Sequence, residues 1–167
     1  MSPTDIAKYT LLVAARAGDF LSNLKVQKIA YYAQAWHLAI HKEELFAEEI
    51  QAWVHGPVIP SVYHQFKKFG SSPILLPEYS GSGLDKIDEK TLLTGLSENS
   101  IGTINEVLTE YMPMSAFELE RATHLEEPWL KAREGLAYDV STDRIIKKEW
   151  MMAYYGQFVT DGTSKSV

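Results

Sequence analysis

The sequence predicts a mainly α-helical, compact domain around one central buried helix at about residues 24–40, with at most a small β element near 49–54 and 74–76. Apolar residues recur at helical spacing along most of the chain. The segment 24–40 is apolar on nearly every side, which is typical of a helix enclosed by other helices. With 167 residues, of which 46% are hydrophobic, the chain has the size of one domain. We assign it residues 1–158 and expect a disordered tail over 159–167.

The first helix is predicted to begin at Pro3 and to end at about Ala17. Ser2 is a suitable N-cap, proline is favoured in the first turn, and Gly18 can adopt the left-handed conformation that ends a helix. The central helix follows a second cap at Ser22-Asn23. It carries Lys28 beside apolar positions, so this ammonium must meet a carboxylate or backbone carbonyls, or extend to solvent.

The segment after the central helix predicts a strand. Residues 49–54 alternate between apolar and polar, and Gly56-Pro57 forms a turn. Residues 58–69 return to helical spacing, and 71–90 are irregular apart from a short strand at 74–76. Further helices are predicted at about 97–111, 115–123, 128–134 and 142–156, the second of them with a capping box that begins at Ser115.

Composition excludes several kinds of chemistry. The chain has no cysteine, which excludes disulfides, thiolate metal sites and cysteine nucleophiles, and favours a reducing, cytoplasmic location. The net charge is −6; basic and acidic residues are equal in number before Gly83, so the acidic excess lies after it. We therefore expect no nucleic-acid partner. No signal peptide and no apolar run of membrane-spanning length is present, so we expect no membrane partner.

Two clusters of polar residues could carry catalysis or bind a metal. His37 and His41 have a spacing that can hold a metal, but no third ligand is indicated, so we predict neither a metal nor a cofactor. The segment 123–129 contains His124 and Glu126, which could form a general base and the group that orients it. In the structural alternative, Thr123 or Glu126 caps a helix and Trp129 anchors the next one. We favour the structural alternative because no serine elbow or phosphate-binding loop accompanies the cluster.

Several segments together resemble a known family. Residues 24–39 read LKVQKIAYYAQAWHLA, and 45–63 and 115–129 follow at the family's spacing. They resemble the motifs of the Panacea antitoxin domain of SocA-like and GepA-like phage-associated proteins. His55 departs from the pattern, since an aromatic or another polar residue is usual there. The residues that match the motifs, and that we expect to form the shared scaffold, are Leu24, Gln27, Lys28, Tyr31, Tyr32, Trp36, Trp53, Gly56, Pro57, Tyr63, Thr123, His124, Glu126, Pro128 and Trp129.

The resemblance implies a non-enzymatic antitoxin of a toxin–antitoxin or phage-defence module. Such a protein neutralises a cognate toxin, encoded by an adjacent gene, through direct contact. The alternatives are a hydrolase or metal-dependent enzyme that uses His124 and Glu126, and an adaptor that presents a partner to a protease. Self-association stays open. We expect Lys28 and Glu126 to form an internal ion pair, and the acidic C-terminal half to face a basic toxin.

Overall fold

The computed structural model describes residues 2–79, 89–160 and 163–164. Within them, the helices are α1 (Pro3–Arg16), α2 (Asn23–His41), α3 (Pro60–Phe66), α4 (Glu89–Leu92), α5 (Glu98–Tyr111), α6 (Ala116–Leu125), α7 (Glu127–Ala132) and α8 (Lys148–Gly156). Short 3-10 turns lie at Lys67–Phe69 and Pro77–Tyr79. The strands are β1 (Ile50–Trp53), β2 (Gly56–Val58), β3 (Ile145–Ile146), β4 (Val159–Thr160) and β5 (Thr163–Ser164). The predicted mainly α fold is confirmed.

Helix α2 is the centre of the domain. It packs against α1, α5, α6 and α8, and every residue from Val26 to Ala39 is buried. Ser22 caps it, with its hydroxyl accepting from the backbone N–H of Lys25. Lys42, the C-cap residue that follows the helix, has a left-handed conformation. A helix surrounded by others has no polar face, which explains why its sequence is apolar on nearly every side.

A small antiparallel sheet lies against this helical core. Strand β1 is in the middle, with β2 on one side and β3 on the other. Ala52 pairs with Pro57 across the tight β1–β2 turn, and Ile50 pairs with Ile146. Strand β2 is therefore an edge strand, a position that tolerates proline because no ladder N–H is needed there.

The structure corrects three boundaries. The strand expected at 74–76 is absent: Pro73 forms a single bridge with Ser22, and the chain then lies against the α1–α2 connection. The helix expected at 142–156 begins only at Lys148, because the residues before it pair with β1 as strand β3. The helix expected at 58–69 begins at Pro60, because β2 occupies the residues before it.

The predicted tail contains a short hairpin among its described residues, with Val159 paired to Ser164. Residues 161–162 and 165–167 lie outside the described part, so disorder there stays a prediction. Across the part of the chain that the structure describes, no helix has both the length and the apolar character needed to cross a membrane.

Candidate functional site

Two side chains of α2 bind the backbone of edge strand β2 and its continuation. The ammonium of Lys28 donates to the carbonyl oxygen of Pro57 at 3.0 Å, and the amide oxygen of Gln27 accepts from the N–H of Ile59 at 2.8 Å. Both side chains are buried, and Lys28 is 0% exposed. Free backbone groups of an edge strand need partners when they are buried. Gln27 and Lys28 supply them and fix the hairpin to the central helix.

Gly56 allows this close approach. Its φ is +96°, and a Cβ placed on it would lie 2.7 Å from Cε of Lys28 and 2.8 Å from Oγ1 of Thr123. The Thr123 hydroxyl donates to the carbonyl of Glu120, one turn earlier in α6. The hairpin, α2 and α6 therefore meet at a point where only glycine fits. We call Lys28, Gly56, Pro57 and Thr123 the lysine centre.

Burial weakens the charge of this lysine. Desolvation lowers the pKa of Lys28 from 10.5 to about 7, and the nearby carboxylate of Glu120 opposes that shift. Burial also lowers the pKa of His124, with Glu120 again acting in the opposite direction. Burial therefore makes the charged form of Lys28 less favourable than it is for a lysine in solvent.

A second buried centre surrounds Glu126, between α6 and α7. Its carboxylate accepts hydrogen bonds from the hydroxyls of Tyr32 at 2.9 Å and Tyr155 at 2.6 Å. The Tyr155 hydroxyl lies 3.3 Å from that of Tyr31. Burial raises the pKa of Glu126 to about 6, although the two tyrosine hydrogen bonds act to lower it. We call these four residues the tyrosine centre; it connects α2, α8 and the α6–α7 junction.

The expected ion pair between Lys28 and Glu126 does not form. Lys28 binds a backbone carbonyl, and Glu126 binds two tyrosine hydroxyls. Of the two kinds of partner expected for Lys28, a carboxylate or backbone carbonyls, the structure shows a backbone carbonyl. Lys28 and Thr123 approach the same point at Gly56, whereas the carboxylate of Glu126 is bound by the tyrosine hydroxyls.

His124 is not oriented by Glu126 either. Its Nδ1 lies 3.0 Å from the hydroxyl of Tyr138, and its ring stacks on Trp129 with centroids 4.2 Å apart. Its Nε2 is buried and has no well-formed hydrogen bond. The nearby backbone of Val54 opposes the lowering of the pKa of His124 that burial causes. The pair required by the enzymatic alternative is therefore not assembled.

Trp129 and Arg133 attach the hairpin to α7 and its C-cap. The indole N–H of Trp129 donates to the carbonyl of Trp53 at 3.0 Å, and Nη1 of Arg133 donates to that of Ala52 at 2.9 Å. The other guanidinium nitrogen, Nη2, donates to carbonyls in the following loop, including that of Val140 at 2.7 Å. The role expected of Trp129 as an anchor agrees with this contact. Sequence reasoning missed Arg133, because no local pattern reveals a buried arginine that binds distant carbonyls.

The two histidines of α2 have other partners. His37 is buried, and its ring nitrogens contact the carbonyl of Glu43 and the hydroxyl of Ser100. His41 contacts Thr103 through Nε2. Burial lowers the pKa of His37. Among the described residues, no cluster of three or more histidine, aspartate or glutamate side chains could hold a metal.

The residues matched to the motifs separate into buried and accessible groups. Tyr31, Tyr32 and Trp36 are at most 1% exposed, and the indole N–H of Trp36 donates to the hydroxyl of Tyr111. Pro57, Thr123, Glu126, Pro128 and Trp129 are buried as well. Leu24, Trp53 and Tyr63 are half-buried and line a groove of about 1020 Å³. These three motif residues are therefore accessible to another molecule through the groove.

Comparison with known proteins identifies one family. A family model described as "Antitoxin SocA-like, Panacea domain" matches residues 26–130, which is more than half of the chain. The matched region extends through nearly all of α2, the β1–β2 hairpin and α6 into α7. It contains the whole lysine centre and, of the tyrosine centre, all but Tyr155, which lies in α8. No curated protein and no solved structure gives a significant match.

Proposed function

Because the chain belongs to the family of SocA-like antitoxins with a Panacea domain, we propose that it neutralises a protein toxin by direct binding. The toxin is the product of an adjacent gene, and both proteins act in the cytoplasm. The family match over residues 26–130 is the observation that carries this proposal. Neutralisation requires contact and no catalysis, so we assign the protein a non-enzymatic role without a nucleic-acid or membrane partner.

The polar side chains of the motifs support a scaffold role. Lys28, Gln27 and Glu126 are buried and hydrogen-bonded to groups of the same chain, which leaves them few atoms to offer a substrate. Buried polar groups that are satisfied in this way rigidify a domain. A rigid scaffold holds a binding surface in one shape, and this lowers the entropic cost of association.

Co-expression tests the proposal. The product of each adjacent gene is expressed with and without this protein, and growth is followed. We expect one neighbour to be toxic alone and harmless in the presence of the antitoxin, with the two proteins co-purifying. If no neighbouring product is both toxic and rescued, the proposal is wrong.

The same experiment distinguishes neutralisation from the adaptor alternative. An antitoxin that blocks its toxin by binding leaves the amount of toxin unchanged or increased, because the complex is stable. An adaptor shortens the lifetime of the toxin. Toxin abundance after translation is stopped, measured with and without the partner, should therefore not fall faster when the antitoxin is present.

A further inference from the structure

The groove lies where distant parts of the chain meet. Its walls come from the N-terminal end of α2, the β1–β2 hairpin, α3, α6 and the loop before β3. Leu24, Val54 and Val58 contribute aliphatic surface, and Trp53 and Tyr63 contribute aromatic rings. A concave, mostly apolar surface with a few polar groups is the usual form of a binding site.

The aromatic wall is held in place before any ligand arrives. The indole N–H of Trp53 donates to the amide oxygen of Gln51 at 2.7 Å, and its backbone carbonyl accepts from Trp129. The ring of Tyr63 packs edge-on against that of Trp53, with centroids 4.8 Å apart. These contacts limit the rotamers of both rings, so that binding costs little side-chain entropy.

The charges that line the groove are mostly negative. Glu120 and Asp143 contribute carboxylates, and no lysine or arginine belongs to the described lining. His55 is the one basic lining residue among them, and it contacts Glu120 at 2.8 Å. Lys28 is fully buried behind the hairpin, so it offers no ammonium to the groove. Both carboxylates belong to the half of the chain that carries the acidic excess. The groove therefore favours a cationic ligand.

We propose that this groove binds a segment of the toxin in which an apolar or aromatic side chain lies beside a lysine or arginine. The proposal rests on the proposed function and assigns a surface to it. The apolar side chain packs between Trp53 and Tyr63, and the cation lies near Asp143 and Glu120. Aromatic anchors in a pocket dominate the affinity of many interfaces, and complementary charge raises the association rate.

Binding of the adjacent gene's product to purified variants tests the groove. Tyr63→Ala removes one aromatic wall, and Asp143→Lys reverses an exposed charge. We expect each to raise the Kd at least tenfold, with the effect of Asp143→Lys decreasing at high salt. The matched controls are Phe117→Ala, at a side chain 72% exposed on α6, and Glu106→Lys, at an exposed position on α5. The controls should change the Kd less than twofold.

A labelling experiment does not depend on weakened variants. Because the chain has no cysteine, a cysteine introduced at an exposed position is the single site for a maleimide. The side chain of His55 is 74% exposed at the groove, so we expect toxin to protect His55→Cys from labelling. The control variant Phe117→Cys should react equally fast with and without toxin.

The outcomes separate the two proposals. If toxin binds with unchanged affinity to folded Tyr63→Ala and Asp143→Lys proteins and leaves His55→Cys reactive, the groove is not its site, while neutralisation stands. Groove variants that alter only self-association would likewise overturn the proposal. If the unaltered protein neither binds nor neutralises the product of any adjacent gene, the proposed function itself is wrong.

Discussion

The lysine centre and the tyrosine centre differ in how many hydrogen bonds their buried ionisable group makes. They lie one turn apart on α2, at Lys28 and Tyr32. The carboxylate of Glu126 accepts hydrogen bonds from two hydroxyls, and its pKa rises from 4.5 to about 6. Lys28 has one carbonyl acceptor, and its pKa falls from 10.5 to about 7. Burial is the main cause of both shifts; hydrogen bonds from two tyrosine hydroxyls oppose it at Glu126, whereas at Lys28 the opposing influence is the carboxylate of Glu120.

The largest expected effect is the dependence of stability on the titration of Lys28. Between pH 7 and 10 the unfolded chain keeps the lysine proton and the folded protein loses it, so the free energy of unfolding should rise with pH. A difference of three pH units corresponds to about 4 kcal/mol. Above pH 10 the buried tyrosines reverse the trend, because their pKa values are raised in the folded state.

Urea unfolding at several pH values measures this effect. Lys28→Met is the control, because it lacks the ammonium, and the difference between the two proteins isolates the titration of Lys28. The pKa of Lys28 can also be read directly from the NMR shifts of its side chain. A wild-type-minus-variant difference that does not change with pH would contradict the prediction.

Gly56→Ala should remove the close contact at the lysine centre. The new Cβ would overlap Lys28 and Thr123, and alanine is strained at a φ of +96°. We expect a loss of about 3 kcal/mol or more in the free energy of unfolding. Gly18→Ala is the matched control, since its φ is +75° with open space around it, and it should cost about 1 kcal/mol. Equal losses in the two variants would show that Gly56 is needed for its φ alone.

Tyr155→Phe should weaken the tyrosine centre by removing the 2.6 Å hydrogen bond to Glu126. Because a buried carboxylate then loses one of its two donors, the free energy of unfolding should fall by about 2 kcal/mol at pH 7, as measured by denaturant unfolding. The substitution should also raise the pKa of Glu126 further. Tyr154→Phe is the control at the adjacent position, because the described part of the chain shows no hydrogen bond to that hydroxyl. A loss of equal size in both variants would argue against the assigned role of Tyr155.

The titration of Glu126 should act in the direction opposite to that of a salt-bridged carboxylate. Between pH 4.5 and 6 the folded protein binds its proton more tightly than the unfolded chain, so stability should fall as pH rises. The fall is about 2 kcal/mol for a shift of 1.5 pH units. Glu126→Gln should remove this component of the pH profile. If both profiles have the same slope, Glu126 titrates normally.

His124→Ala should have the smallest effect on function. The histidine stacks on Trp129 and contacts Tyr138, so its removal should cost about 1 kcal/mol of stability and leave toxin neutralisation intact. Rescue of growth, measured on a variant shown to be folded, checks this. A folded variant that no longer rescues would favour the enzymatic alternative.

Some of the site could be predicted from local patterns. The capping box at Ser115 is observed, with Glu118 as its second member. The apolar circumference of α2 identified the central helix. The sequence also indicated that Lys28 needs an internal partner. It could not identify Pro57 as that partner, because the contact depends on how the hairpin packs onto α2.

Strand β3 and the burial of Arg133 could not be predicted from the sequence, because they also depend on tertiary packing. Ile145–Ile146 is a strand only because β1 lies beside it, and its apolar residues fit the helical spacing of the segment that follows. Arg133 resembles any charged residue near a helix end, a position where arginine is favourable. Its burial becomes visible once Ala52 and Val140 bring their carbonyls to it.

By itself, the sequence determined the class of fold, the approximate position of each described helix except α4, several of the helix caps, and the absence of thiol chemistry. Periodicity and capping depend on residues within a turn or two of one another, so they can be read locally. Only the tertiary structure decided which groups share a buried centre. Tyr32 and Glu126 are 94 residues apart, and their contact follows from the packing of whole helices. Tertiary packing thus joined Glu126 to tyrosines and Lys28 to a strand edge.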